Sequence, residues 1–525
     1  MKSAAEASQA GMWAETPEPG SERETAGSNQ EDRKPRLHRV NRQQMLLRAV
    51  DVEQLIAEDH PARAIWEFVG RLDLSPYYKD IDAVEGVAGR PSLDPQLLIS
   101  LWIYAYSQRV SSAREVSRLC EYHPAYQWLT GLEVVNHHTL SDFRVDHQEA
   151  LTELFTKALG LLSAEGLIPL EQVVHDGTKV KACAGADTFR REEKIQAHLE
   201  MARRLVEEMG DPRSEECSPR TAQARARAAR ERQERLELAL EELQKLRATK
   251  KNEKEKREAR VSETDPEARV MKQPDGGFAP SYNVQISSDT SSGVVVGVDV
   301  SQAGTDYDEL AGAVEKVAAN LGRKPGQMIV DGGFTSRENI LGMDEECVDL
   351  IGSMRDGEAQ SAGQLERRGV DPAFYPQAFI YQPEGDSYRC PAHKILPYEG
   401  KENRPGVVLH RYRAPAADCM ACEWKQKCCP QNAAKGRTIV RGEEAPAVAA
   451  FRAKMETAEA QQAYRKRGPV AEFRNAWIKD KLGLRQFRVQ GLLKVKMEAT
   501  WACLTHNIQH WIRLRWRLPV SAETA

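Results

Sequence analysis

Two aspartates each close a short apolar run and precede a glycine: Asp176 in VVHDGT and Asp331 in QMIVDGG. Such runs predict buried strands ending at the carboxylate, with a glycine that lets a ligand approach the backbone. A third carboxylate, Glu472, lies in a basic, helical stretch near the C-terminus. Three carboxylates facing two hard cations suit Mg2+ or Mn2+, which take oxygen ligands and keep waters for substrate. Two such ions can activate an attacking oxygen and stabilise a leaving one at a phosphodiester. For any one aspartate the plain alternative is a turn or cap; the combination points to phosphoryl chemistry. His175 and Asp308 read as structural residues.

The cysteines form a second constellation: Cys390, then Cys419-x-x-Cys422, then Cys428 with Cys429 beside it. A C-x-x-C knuckle with two further thiols can satisfy tetrahedral Zn2+, so these four are candidate ligands of a structural ion, with Cys429 as a substitute. The alternative is reduced thiols in a loop. Cys120, Cys183, Cys217, Cys347 and Cys503 are scattered and read as packing residues.

The elements that position these groups follow from length and patterning. A chain of 525 residues exceeds what one core organises, so two to four domains are expected. With 41% apolar and 29% charged residues, collagen-like and wholly disordered chains are excluded. No apolar run is long enough to span a membrane. The first residues lack the basic start and apolar stretch of a secretory signal, so a reducing cytoplasm is expected. Net charge is −4, but from Tyr464 to Arg517 there are 13 Lys/Arg against 3 Asp/Glu. That local field can attract phosphate; a solvated basic surface is the alternative.

The expected fold class is multidomain α/β. Residues 1–38 read as a disordered tail and 39–165 as an all-α DNA-binding domain, a helix-turn-helix-like bundle or a plain helical one, with Ser92 and Asp94 as candidate helix caps. Residues 166–188 carry the first strand, ending at Asp176. Residues 189–264 step in heptads, from Ile195 through Met209 and from Ala222 through Leu243, around a Gly/Pro turn. That predicts an antiparallel coiled-coil hairpin. Residues 265–356 give hairpin, helix, strand, helix, strand, the order of an RNase H-like mixed-sheet core interrupted by the coiled coil. Residues 357–440 are Cys-rich and read as an irregular insertion unable to build its own core easily. Residues 441–517 are helical and carry Glu472, and 518–525 form a tail.

The stretch Tyr464-x-x-Arg467…Glu472…Lys479 resembles the Y-R-E-K signature of bacterial insertion-sequence DDE transposases. Six residues separate Glu472 from Lys479, which puts them on one face of a helix. Four residues separate Arg467 from Glu472, where the usual signature has three, so Arg465 and Lys466 remain alternatives. HDGTKVKA resembles the first-Asp motif and VDGGFTSREN the second. GRPSLDPQLLISLWIYAYSQ is similar to the helical N-terminal domain of InsH-type transposases, and QGLLKVKMEATWACLTHNIQHW to the closing helix. The nearest group is the IS-eleven-eighty-two family, over about residues 40–515.

The resemblance implies Asp176, Asp331 and Glu472 as catalytic ligands of a two-metal Mg2+ or Mn2+ site. It implies Lys479 and Arg467 as phosphate contacts, the former on an exposed helix flank, and Tyr464 as a backbone-positioning residue. The implied partners are DNA, as terminal inverted repeats and target, and a second copy in a synaptic homodimer. The implied setting is nucleoid-associated, with no membrane. The activity implied is cleavage at element ends and strand transfer. A catalytically silent DNA-binding regulator and a purely hydrolytic nuclease are the rival expectations.

Overall fold

The computed structural model describes residues 45, 47, 49–79, 81, 83, 91–209, 219–354, 357–431 and 433–516. The tails expected at 1–38 and 518–525 lie outside these residues, as do 210–218 in the turn between the heptad helices. The chain divides into two units, Met1–Val50 and Asp51–Ala525. The elements below belong to the second.

The N-terminal helices include α1 (Pro61–Gly70), α2 (Pro95–Ser107), α3 (Ala113–Tyr122), α4 (His137–Asp146) and α5 (Gln148–Ala164). In α1 and α2 a proline at the first helical position sets φ where no N–H is needed, and the preceding side chain caps the helix. At α2 the cap is Asp94, which accepts from the Gln96 N–H at 2.8 Å. Leu98, Leu101, Trp102 and Ala105 on α2 are buried in a core shared with the main sheet.

That sheet begins with β1 (Gln172–Lys181). The strand does not end at Asp176 as expected but runs five residues further. Thr178-Lys179-Val180-Lys181 alternates, with Val180 buried, and keeps pairing with the next strand. Polar residues and a glycine hid this half of the strand. The chain then leaves the sheet for α6 (Glu192–Met209) and α7 (Pro219–Ala248). These run antiparallel, since Arg203 pairs with Glu237 and Arg247 with Glu192. Ile195, Leu199, Ala202, Leu236, Ala239 and Leu243 share one small core between them.

The chain returns as β2 (Phe278–Asp289), β3 (Val295–Ser301), α8 (Leu310–Leu321), β4 (Gln327–Ile329), α9 (Arg337–Glu345) and β5 (Asp349–Ile351). The strand order is β3-β2-β1-β4-β5, with Arg269–Lys272 also pairing with β2. β2 is antiparallel to β1 and β3 to β2, while β4 runs parallel to β1 and β5 to β4. α8 stops at Gly322, whose φ of 70° is left-handed, and Ser336 caps α9 through the Asn339 N–H.

Residues 357–440 are not irregular. Short strands β6 (Ile380–Gln382) and β7 (Ser387–Arg389) join β8 (Ile395–Arg404), β9 (Val407–Arg413) and β10 (Thr438–Glu444). They form a five-stranded sheet ordered β10-β9-β8-β7-β6. It has a core of its own: Phe379, Leu396, Tyr412, Ala414 and Ile439. β8 is exposed at most positions, so charged side chains line both faces and no apolar alternation betrays the strand.

The helices that follow include α10 (Arg467–Ala476) and α11 (Leu492–Leu514). The basic character of the second is marginal to its role. Val495, Met497, Trp501, Leu504, Ile508 and Trp511 are buried, each contributing about 1.5–3 kcal/mol. Its basic residues, Lys494, Lys496 and Arg513, sit near the ends. Asn507 fastens it to β3, accepting from the Val295 N–H and donating to the Val295 carbonyl, both at 2.8 Å.

Candidate active site

Asp176 and Asp331 come from adjacent parallel strands. Val174 pairs with Ile329, and two residues further along each chain stand the two carboxylates, at one level just beyond the end of β4. Neighbouring strands lie about 4.8 Å apart, so the aspartates are close neighbours. Val174, on the same side of β1 as Asp176, packs with Ile329 and Ile351 against Ala471 of α10. Arg467 and Asn475 stand one turn before and after Ala471 and reach the same carboxylate. Asn475 donates to Asp176 Oδ2 at 2.9 Å, and Arg467 Nη1 lies 3.9 Å from Oδ1.

Burial raises the Asp176 carboxyl to about 6; Arg467 opposes this, and the negative charges of Asp331 and Asp306 reinforce it. Asp331 Oδ1 accepts from the Gly333 N–H at 2.7 Å, which fixes its rotamer across the turn.

Glu472 follows Ala471 and is exposed. Its Oε1 lies 3.7 Å from where a Cβ on Gly468 would be, so the side chain folds back along its own helix. Its carboxylate is not placed as a third ligand: among the described residues no three His, Cys, Asp or Glu side chains are arranged to hold a metal ion. The donor chemistry nevertheless fits a hard divalent cation. Two buried-edge carboxylates crowd each other, one resists ionisation, and a third stands one residue from the helix face that packs on them.

Lys479 is half-buried rather than on an exposed flank. It lies in a π-helical turn, Trp477–Lys481, which continues α10. Burial lowers its ammonium pKa, helped by Arg485 and Lys179 and opposed by Asp176 and Asp480. Tyr464 is half-buried, and its hydroxyl donates to Ser353 Oγ at 3.3 Å. Of the alternatives to Arg467, Lys466 donates to Gln172 Oε1 at 2.9 Å and Arg465 is exposed.

His175 is buried on the other side of β1. Gln285 uses its amide N–H on Asp306 Oδ1 at 2.9 Å, so its carbonyl accepts from His175 Nε2 at 2.9 Å. His175 Nδ1 then accepts from Ser287 Oγ at 2.9 Å. This chain makes His175 a structural tie across β1 and β2, and burial keeps it neutral, down to about 4. Asp306 and Asn475 are the residues that spacing could not find. Neither belongs to a periodic pattern; Asn475 has one signal, the three-residue step from Glu472, and Asp306 has none.

Gly177 has a different role from the one its sequence suggests. A Cβ there would meet Asp306 Oδ1 at 2.3 Å and Gln285 Nε2 at 2.8 Å. What approaches the backbone is therefore a carboxylate of the chain itself. Gly177→Ala is expected to push Asp306 off its amide partners and cost about 1–3 kcal/mol. Thermal denaturation checks this, and an unchanged midpoint would show that Asp306 moves freely.

Residues 389–512 match the family described as Transposase DDE domain, and residues 50–146 that described as Transposase domain (DUF772). Both are transposase domains and together support a transposase; the first takes in Glu472 and Lys479, the second the helices α1 to α4. No curated protein matches the chain. Among solved structures, a cryo-EM piggyBac transposase synaptic complex with hairpin DNA aligns over 87% of this chain and 76% of that one, at 8% identity and a TM-score of 0.30. No helix among the described residues is long and apolar enough to cross a membrane.

Proposed function

We propose that the protein is a DDE transposase that cuts DNA at the ends of an insertion element and joins those ends to target DNA. The observation that carries this reading is Asp176 on β1 beside Asp331 just past the end of the parallel strand β4, under the helix that bears Glu472. The strand order β3-β2-β1-β4-β5, with its antiparallel and parallel halves, supports an RNase H-like core. The Y-R-E-K reading and the IS-eleven-eighty-two assignment belong to the same proposal.

In it Asp176, Asp331 and Glu472 would hold Mg2+ or Mn2+, with Glu472 turning away from Gly468 to complete the set. Bound divalent ions supply the charge that activates an attacking oxygen and stabilises a leaving one. Arg467 and Lys479, both within the field of Asp176, hold backbone phosphates beside the scissile bond, and Tyr464 packs the helix that presents them. In the first step a water oxygen bonds to phosphorus and the P–O3′ bond breaks, leaving a 3′-OH that takes up a proton. In the second that hydroxyl attacks a target phosphodiester, forming one P–O bond as another breaks. Synapsis of two ends calls for a homodimer.

The reading is tested by incubating the protein with Mg2+, DNA carrying the ends that flank its gene, and a target plasmid. Cleaved and joined products are expected. Cleavage without joining would favour the hydrolytic nuclease, and binding without cleavage the silent regulator. Lys479→Ala should weaken DNA binding and lower the magnitude of its salt slope by about one unit, the share of one phosphate contact. An unchanged slope in a binding titration would make Lys479 a helix-packing residue.

A further inference from the structure

The five cysteines of the β6–β10 module converge, although the sequence distributes them over 40 residues. Cys390, Cys419, Cys422, Cys428 and Cys429 all line one cavity of about 30 Å³. That is room for a single ion and too little for an organic ligand. Two of the sulfurs accept backbone N–H bonds, Cys390 from Lys394 and Cys419 from Arg437, each at 3.3 Å. The first requires a tight turn in which Cys390 N–H donates to the Lys394 carbonyl at 2.9 Å and His393 takes a left-handed φ of 61°. A non-glycine residue there costs about 1 kcal/mol, so the turn is held against a local preference. The same cavity is lined by Lys394, Lys425 and Arg437, with Asp418 as an acidic neighbour.

We infer that Cys390, Cys419, Cys422 and Cys428 bind one structural Zn2+, with Cys429 remaining a packed thiol. A Zn2+ held by four thiolates carries two net negative charges. Amide donors on the sulfurs and three cationic side chains around them are what such a centre needs. Simple packing of reduced thiols needs neither. The sulfurs are not closed into a tetrahedron as they stand, so binding requires them to turn about χ1 within a cavity already formed.

The consequence is mechanical. The ion would tie the turn after β7 to the segment between β9 and β10, bracing the module at the end where its strands are shortest. With four protein ligands it would leave no position for water and take no part in phosphoryl transfer.

The full-length protein, purified without chelator, is analysed for metal and its thiols are titrated before and after a mercurial. About one zinc per chain is expected, with four thiols protected until the zinc is released. Cobalt exchanged for the zinc should give the intense visible bands of a tetrahedral thiolate site. Cys429→Ser should keep the metal, while Cys422→Ser should lose most of it. The wild-type measurements stand even if the second variant folds poorly. Zinc-free protein that takes up none when zinc is added, thiols that all react freely, intramolecular disulfides, or full zinc in Cys422→Ser would each overturn the inference.

Discussion

Asp176→Asn, Asp331→Asn and Glu472→Gln should each lower cleavage and joining by on the order of 10³-fold or more, while binding to element ends stays near normal. A missing ligand charge withdraws about 4 kcal/mol or more of stabilisation from the attacking and leaving oxygens. The structure sharpens what each variant tests. Asp331 is held by the Gly333 N–H and Asp176 by Asn475, so both amide replacements keep a partner and the fold should survive. Glu472 has the most to reveal because its carboxylate lies over Gly468 and must swing to act. If Glu472→Gln cleaves normally, the triad reading fails at its third member. If Asp176→Asn or Asp331→Asn cleaves normally, the paired strands are not the reaction centre. Gel-shift titration on the same preparations separates lost chemistry from lost binding.

How far the sequence already disclosed this arrangement depends on what each element is made of. The apolar centre of QMIVD was legible as a strand because burial on both faces leaves no other use for it. Heptads in α6 and α7 were legible because they must face something, and they face each other. The second half of β1 was not, since Gly177 and two lysines interrupt the pattern that signals burial. The sheet β6–β10 was hidden for a related reason: a strand exposed on both faces has no period to read. Charge misled in α11, where basic ends flank a buried middle that includes Glu498, His506 and Asn507. The site itself was half legible. Carboxylates announce themselves by type, but Asn475 and Asp306 matter through contacts between segments far apart in sequence, which no local spacing encodes.

The burial of Asp176, reinforced by the carboxylates near it, also predicts a stability effect opposite to the usual one for a salt-bridged aspartate. The Asp176 carboxyl ionises near 6 in the folded protein, against an ordinary 3.8. The folded state therefore holds the proton more tightly than the unfolded chain. This contribution is fully present below about pH 4 and is lost as pH rises through 6. At about 1.4 kcal/mol per unit the loss is at most about 3 kcal/mol, and less where Arg467 and solvent relax around the charge. Asp176→Asn cannot ionise and escapes this loss. In the presence of a chelator it should be more stable than the wild type at about pH 7.5, by about 1–3 kcal/mol, and by at most about 1 kcal/mol at about pH 4.5. Adding Mg2+ at the higher pH should raise the wild-type melting temperature and leave the variant unchanged, because the ion restores the countercharge only where a carboxylate is ionised. Denaturation of both proteins at the two pH values, with and without Mg2+, gives the answer. A stability difference that does not change with pH would mean that Asp176 ionises as an ordinary carboxylate, and that Asp331 and burial exert no hold on it.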